Sequence, residues 1–312
     1  MNQSSTILVT GASGFIGRHV AYRLAEKGHQ VIALCHKSQL PQHVLAVCKE
    51  VISGDISDYD SCRRMLRGVD GVCHLAGFIP ERYGDPLWAQ KCYQVNALAS
   101  LNLAMCAVEM KVPRFIYISG ANMYCPSKTP SVESDPIYPD QTATCYFTSK
   151  LAGELYVGNV CRNKQTDALI LRIATPYGPA EPVGKVIPSF MKQASQARPL
   201  RVFYGGLTTY NFVYIDDVAE LITTAVMEGP AGIYNISSAE HTSLAELAQT
   251  VAKVYSDKKI EIKIDPPSND AFAGFPPVSI EKACKTWNYN PGSLLEGIKK
   301  YRQFLENQSA EL

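Results

Sequence analysis

The chain has 312 residues, 46% of them hydrophobic and 19% charged, with a formal net charge of +1. That length suits one large α/β domain, or one domain with a smaller appendage, and the composition is that of a globular protein. With no extended basic run a polyanion surface is excluded, so no nucleic-acid partner is expected. The apolar runs are strand-sized, so no membrane partner is expected either.

The opening MNQSSTILVTGASG enters a strand almost at once and lacks the charged and apolar regions of a signal peptide. Ten cysteines are scattered without a C-x-x-C, and none pairs with the six histidines at zinc-site spacing. They read as reduced, mostly buried thiols of a cytoplasmic protein with no metal site. Cys145, beside Tyr146, has the alternative reading of a reactive thiol.

In chain order, TILVT (6–10) reads as a strand, a glycine turn at 11–17 opens a helix through Lys27, and Gly28 terminates it. QVIALC (30–35) is a second strand. EVISGD (50–55), a helix around 58–67 and GVCHLAG (71–77) follow, then a long helix near 87–110 and the strand RFIYIS (114–119). A helix from about 146 to 163 leads into the strand ALILRIA (168–174). Strands alternating with helices predict a Rossmann-type, doubly wound parallel sheet covered on both faces. The second half is richer in Pro and Gly. FVYIDDVAELITTAV (212–226) reads as a strand end and a helix, IYNISS (233–238) as a strand, and 244–255 and 294–305 as helices. This predicts a dinucleotide-binding domain of residues 1–174 plus about 211–238. A smaller, interleaved substrate lobe takes about 175–210 plus 239–312.

TGASGFIG places Gly11, Gly14 and Gly17 between the first strand and the first helix. In that context Gly11 permits the tight turn, Gly14 lets the backbone approach a pyrophosphate, and Gly17 allows close helix packing. The helix N-terminus offers its unpaired N–H groups to the phosphates. The second strand ends Leu34-Cys35-His36-Lys37-Ser38, without the carboxylate that would hold an adenosine ribose. His36 and Lys37, helped by Arg18, can neutralise a 2′-phosphate, so NADP is preferred to NAD. Asp55 is placed to reach the adenine or to cap its own loop.

Y-x-x-x-K puts two side chains on one helical face, where the ammonium can lower the phenol's pKa and make it an acid/base near neutral pH. The pattern occurs at Tyr124/Lys128, Tyr146/Lys150 and Tyr255/Lys259. The first contains Pro126 and reads as loop, and the third lies where a helix gives way to the strand IEIKI. CYFTSKLAGELYVGNV keeps helical periodicity beyond its lysine, so Tyr146 and Lys150 are selected.

The run from TGASGFIG through GDISD, HLAG, YQVNALAS, FIYIS, Tyr146–Lys150 and LRIATPYGP to FVYIDDVAE resembles the extended short-chain dehydrogenase/reductases. That group contains NAD-dependent sugar-nucleotide epimerases, dehydratases and 4-keto-reductases. The resemblance covers about three quarters of the chain and ends near YNISS. It implies a Rossmann domain with a smaller substrate lobe, the tyrosine as acid/base, and the lysine also holding the nicotinamide ribose. It further implies cofactor contacts at Ser13, Phe15, Ile16, Ile56, Leu75, Ala76, Gly77, Asn96 and Pro176. A homodimer through the helices near 87–110 and 146–163 is implied as well.

The chain departs from that pattern in YISGANMYC (117–125). Family members carry Ser or Thr where this chain has Gly120, and that hydroxyl bonds the reacting oxygen. Ser119, Asn122 or Thr144 are the substitutes within reach, although successive strand residues face opposite ways. Otherwise the tyrosine works alone, at a loss on the order of 10²–10³ in rate. The dehydratase Asp-Glu pair is replaced by Ala121 and Asn122. In the substrate lobe Thr175 stands for the usual Asn and Tyr210 for an Arg, a weaker diphosphate ligand. Lys185, Lys192 and Arg201 are the nearby cations. The expected function is NAD(P)-dependent chemistry at a secondary alcohol or ketone, first of all C4 of a nucleotide-linked sugar. Reduction of a smaller or apolar carbonyl, and a catalytically silent dinucleotide-binding regulatory protein, are the alternatives.

Overall fold

The computed structural model describes residues 4–36, 39–81, 85–138, 143–182, 184–268 and 272–310. The first half runs β1 (Thr6–Thr10), α1 (Phe15–Glu26), β2 (Gln30–Cys35), α2 (Gln42–Leu45), β3 (Glu50–Ser53), α3 (Tyr59–Met65) and β4 (Gly71–His74). A 3₁₀ turn (Pro86–Trp88), α4 (Ala89–Cys92), a π-helical stretch (Tyr93–Leu98) and α5 (Ala99–Glu109) follow. Then come β5 (Arg114–Gly120), α6 (Thr144–Cys161) and β6 (Asp167–Ile173). The strand expectations hold to within two or three residues at their ends, because each is a β-branched, apolar run between glycine or polar punctuation.

The predicted long helix near 87–110 is present but interrupted. Its π-helical turn carries Asn96, whose carbonyl accepts from Tyr117 Oη at 3.2 Å and from Ser100 Oγ at 2.8 Å. Both side-chain bonds fall where the i→i−4 ladder is interrupted, the kind of place at which π-turns are found. Gly153 of α6 lies so close that an added Cβ would be 2.3 Å from Tyr117 Oη and 2.4 Å from the Asn96 carbonyl oxygen.

The second half runs β7 (Thr175–Tyr177), α7 (Val186–Ser195), β8 (Leu200–Val202), β9 (Thr209–Tyr210), β10 (Phe212–Tyr214), α8 (Ile215–Ala225) and β11 (Gly232–Ile236). It continues with β12 (Thr242–Ser243), α9 (Leu244–Val254), β13 (Ile262–Ile264), α10 (Glu281–Trp287) and α11 (Leu294–Ala310). Strands β10, β11 and β13 were expected at 212, in IYNISS and in IEIKI, whereas helices α7 and α10 and the short strands β7, β8, β9 and β12 were not. Their apolar residues pack locally rather than repeating over several turns.

Seven parallel strands form the main sheet in the order β11-β6-β5-β4-β1-β2-β3. Alternation along β5 shows its two faces: Ile116 and Ile118 join the core under α1 and α8, Phe115 and Tyr117 the core under α3, α5 and α6. The order reverses between β1 and β4, so a cleft opens at their carboxyl ends. A third core, with Tyr177, Ile187, Phe190, Phe212, Leu247 and Ile298, holds the small lobe together. Ile280, Ala283 and Tyr289, around α10, pack instead into the α1/α8 side of the main sheet.

Candidate active site

The glycine turn is built from backbone in near-contact. Gly11 has φ +68°, and a Cβ there would lie 2.7 Å from the amide nitrogen of Ala76; at Gly17 it would lie 2.1 Å from the Gly11 carbonyl oxygen. Only glycine fits such approaches. Helix α1 begins at once, with Gly14 as an N-cap that makes no side-chain cap and with no acidic residue in its first turn. Its N–H groups and dipole are thus directed to an anion, which fits a dinucleotide pyrophosphate. Ser13, Phe15 and Ile16 belong to this turn. Arg18 donates to the carbonyls of Ser13 at 2.8 Å and Gly14 at 3.2 Å, so its guanidinium braces the turn.

The loop after β4 is tied to the turn. Ala76 N–H donates to Thr10 Oγ1 and Leu75 N–H to the Thr10 carbonyl. Behind them, Thr10 Oγ1 meets His74 Nδ1 at 2.7 Å and His74 Nε2 meets Ser100 Oγ at 2.8 Å. Ser100 itself donates to the Asn96 carbonyl, so His74 donates from Nε2 and accepts at Nδ1. Burial pushes that imidazole down to about 3, with the Lys150 ammonium acting in the same direction. Asn96 is fully buried; its Oδ1 accepts from Phe78 N–H, and its Nδ2 donates to the Phe78 carbonyl and to Ser149 Oγ. It clamps the Gly77–Phe78 loop to α6.

At the end of β2, His36 is exposed and its Nε2 lies 3.9 Å from Asp55 Oδ2. Asp55 Oδ1 accepts from Ser57 N–H, the loop-capping arrangement, and Ile56 is buried beside it. Lys37, the other cation expected here, lies outside the described residues.

Tyr146 and Lys150 stand one turn apart on α6. The helix is preceded by Ala143 in the left-handed region, φ 54° and ψ 32°, a strained entry of the kind that clusters at functional sites. Lys150 is only 5% exposed, its ammonium 4.4 Å from the centre of the Tyr117 ring, and a Cβ on Gly77 would be 4.0 Å from it. Burial pushes Lys150 down to about 7, against the pull of Glu154 one turn on. The buried Glu154 pairs with Arg172 of β6, which also donates to Tyr124 Oη and to the Glu133 carbonyl. That network explains why Tyr124/Lys128 is a decoy: the Tyr124 hydroxyl is spent between Arg172 and Asn235. At the third Y-x-x-x-K, Tyr255 is buried at the end of α9 beneath Arg302.

Around Gly120 the structure adds residues that the sequence reading missed. The ring of Phe147 lies over it, so that a Cβ at position 120 would be 3.1 Å from Phe147 Cε1. Phe147 contacts Tyr146 and Phe275, and Phe275 contacts Tyr210, at centroid distances of 5.2, 6.3 and 5.7 Å. Ser119 is 4% exposed, and its buried Oγ has no hydrogen-bond partner. Asn122 donates to Thr175 Oγ1 at 3.3 Å, and its own Oδ1 is buried without a partner. Asn122 also lines a cavity of about 330 Å³ with Met123, Tyr124, Tyr138, His241 and Phe275. Thr144 opens α6 on its exposed side, Pro176 pairs with Val213 across β7 and β10, and Tyr210 stacks on Phe212. Lys185, at the exposed N-cap of α7, stands outside this cluster. A bulky residue beside the tyrosine and a lone arginine in an apolar strand were the available signals.

Comparison with known proteins follows the same architecture. The family model described as the NAD dependent epimerase/dehydratase family matches residues 7–237. The human dTDP-D-glucose 4,6-dehydratase is 28% identical over 285 residues, covering 85% of this chain and 80% of the relative. An uncharacterised UDP-glucose epimerase of Bacillus subtilis is 28% identical, with 96% and 98% covered. Among solved structures, UDP-glucuronic acid 4-epimerase from Bacillus cereus, in complex with UDP-glucuronic acid and NAD, superposes with a TM-score of 0.82 at 25% identity, covering 97% and 99%. The Thermotoga maritima UDP-glucose 4-epimerase gives 0.84 at 24% identity with the same coverage.

Proposed function

The chain belongs to the NAD-dependent epimerase/dehydratase family, and on that premise we propose that it catalyses oxidation or reduction at C4 of a nucleotide-linked sugar. The observation that carries this reading is the pair Tyr146–Lys150, with a buried lysine ammonium, set beside a glycine cradle. A bound nicotinamide dinucleotide would donate or accept the hydride. Gly11, Gly14, Gly17 and the N-terminus of α1 would hold its pyrophosphate, and the loop of Leu75, Ala76 and Gly77 would line its path. Tyr146 passes the proton to or from the C4 oxygen. Lys150 supplies a positive charge that favours the phenolate and orients the ribose. The relatives' substrates, dTDP- and UDP-sugars, support a nucleotide-linked sugar here.

The preferred cofactor is NADP, because β2 ends in Cys35 and the exposed His36 rather than a carboxylate. A cofactor that leaves after each turnover favours net reduction over epimerisation. The division into a Rossmann domain and an interleaved lobe is supported by the separate core of Tyr177, Phe190 and Leu247, although Ile280, Ala283 and Tyr289, assigned to the lobe, pack on the Rossmann side. All ten cysteines are free thiols, which supports a cytoplasmic location. A homodimer is supported by Tyr93, Leu98, Met105 and Leu155, exposed along the π-helical stretch, α5 and α6.

The test combines NADPH and NADH titration with turnover of nucleotide-linked 4-keto sugars, with Tyr146→Phe as control. NADPH should bind more tightly, and Tyr146→Phe should lose ~10²–10⁴ in kcat while keeping cofactor affinity. Tighter NADH binding overturns the cofactor preference. Cofactor binding without turnover on any carbonyl, insensitive to Tyr146→Phe, overturns the enzyme in favour of a silent dinucleotide-binding protein.

A further inference from the structure

The reading of Tyr146 as acid/base leaves one task unassigned, namely the hydrogen bond to the reacting oxygen that position 120 cannot make. We propose that Asn122 and Thr175 make it together, the function having moved two residues along the end of β5 because Phe147 occupies the space over Gly120. This inference rests on the C4 chemistry proposed above.

Three observations carry it. First, position 120 is crowded as well as bare: Phe147 Cε1 lies 3.1 Å from where a Cβ would be. A serine there would press its Cβ on the edge of an aromatic ring packed between Tyr146 and Phe275, which must give by a few tenths of an ångström before the hydroxyl is accommodated. Second, the candidates differ in what they face. Ser119 follows Tyr117 on the α6 face of β5, pairs in register with Arg172, and is enclosed at 4% exposure. Asn122 and Thr175 are half-buried, and Asn122 lines the 330 Å³ cavity whose Met123 and Phe275 also pack in one cluster with Tyr146 and Phe147.

Third, the pair is pre-arranged and incompletely satisfied. Asn122 Nδ2 donates to Thr175 Oγ1 at 3.3 Å, leaving the second Nδ2 hydrogen and the Thr175 hydroxyl hydrogen as donors. Asn122 Oδ1 is a buried acceptor without a partner, a costly state that a substrate hydroxyl beside the carbonyl would relieve. An oxygen gaining charge at C4 thus meets a donor fixed before the reaction, and an adjacent hydroxyl is held by the same amide.

The experiment uses the full-length protein with the cofactor it binds more tightly and dTDP-4-keto-6-deoxyglucose as probe. Asn122→Ala should lower kcat ~10²-fold with the cofactor Kd unchanged. Thr175→Val should lower it in the same parameter, and the double variant should be little worse than Asn122→Ala, since the two act as one unit. Gly120→Ser alone should not rescue Asn122→Ala; Gly120→Ser with Phe147→Ala should recover at least about tenfold, because the ring then vacates position 120. An unchanged cofactor Kd certifies that each variant is folded. A kcat for Asn122→Ala within threefold of wild type, or a loss confined to KM, overturns the inference. In that event wild-type turnover would still depend on Tyr146, which separates this failure from failure of the proposed function.

Discussion

The two walls of the cleft are built from different materials. On the side assigned to the cofactor the contacts are made to backbone: Gly11 against Ala76, Gly17 against Gly11, and the Asn96 side chain on both the N–H and the carbonyl of Phe78. On the substrate side they are side chain to side chain: Phe147 over Gly120, Phe275 between Phe147 and Tyr210, Asn122 on Thr175. Backbone cannot yield without moving a strand or a helix, whereas a ring can turn. The wall assigned to the cofactor should therefore tolerate almost no substitution, and the wall assigned to the substrate should accept rebuilding by paired changes.

The largest expected effect tests that contrast directly. Gly17→Ala puts a Cβ 2.1 Å from the Gly11 carbonyl oxygen and 2.8 Å from its carbon. It should cost on the order of 4 kcal/mol or more and abolish dinucleotide binding, read by urea denaturation and cofactor titration. Gly120→Ala meets only Phe147, at 3.1 Å. It should cost about 1 kcal/mol and leave cofactor affinity unchanged. Equal damage from the two would break the comparison.

What the sequence reveals follows the same division. The seven strands, the fingerprint helix and the Tyr146–Lys150 pair are legible because they rest on local patterns: apolar runs between turns, glycines at set spacing, a tyrosine and lysine one helical turn apart. The π-turn at Asn96 is not legible, since it depends on Tyr117, Ser100 and Gly153 converging from three segments. Nor is the buried Arg172–Glu154 pair, whose partners lie on β6 and α6. The packing of Phe147 against position 120 is a tertiary event too. The glycine alone reads as a lost hydroxyl, and only the neighbouring ring shows that the position is also crowded.

A smaller effect of opposite sign comes from Lys150, where the two walls meet. Its folded-state pKa of about 7 lies well below the ordinary lysine value of 10.5, burial being the main cause. The unfolded chain therefore binds more protons between those values, so the destabilisation is fully present below pH 7 and fades as pH rises toward 10.5. Lys150→Met should stabilise the cofactor-free protein by ~4 kcal/mol at pH 6–7, with the gain shrinking steadily above pH 7 and small by pH 10. Thermal melts of both proteins from pH 6 to 10 check it; a constant difference would mean that the ammonium is not the source of the strain. The same variant should lose catalysis, separating the stability of this wall from its function.

The smallest effect concerns Glu181, in the connection from β7 to α7 that joins the walls. The preceding Pro179 gives its carbonyl to His19 of α1, so this loop touches the cofactor side while leading into the lobe. Burial pushes the Glu181 carboxyl up to about 7, with the Gly178 backbone and Lys185 pulling it down, and Oε2 is buried without a partner. A raised carboxyl binds its proton more tightly in the folded state, so stability is lost as pH rises from the unfolded value of 4.5 through 7 and is constant above. Glu181→Gln should match wild type near pH 4 and exceed it by about 1 kcal/mol at pH 8, the figure reduced because the side chain is partly solvated. If the variant is less stable at pH 8, the carboxylate is being used as a charge, and the loop belongs to the machinery of the cleft instead of merely bridging its two sides.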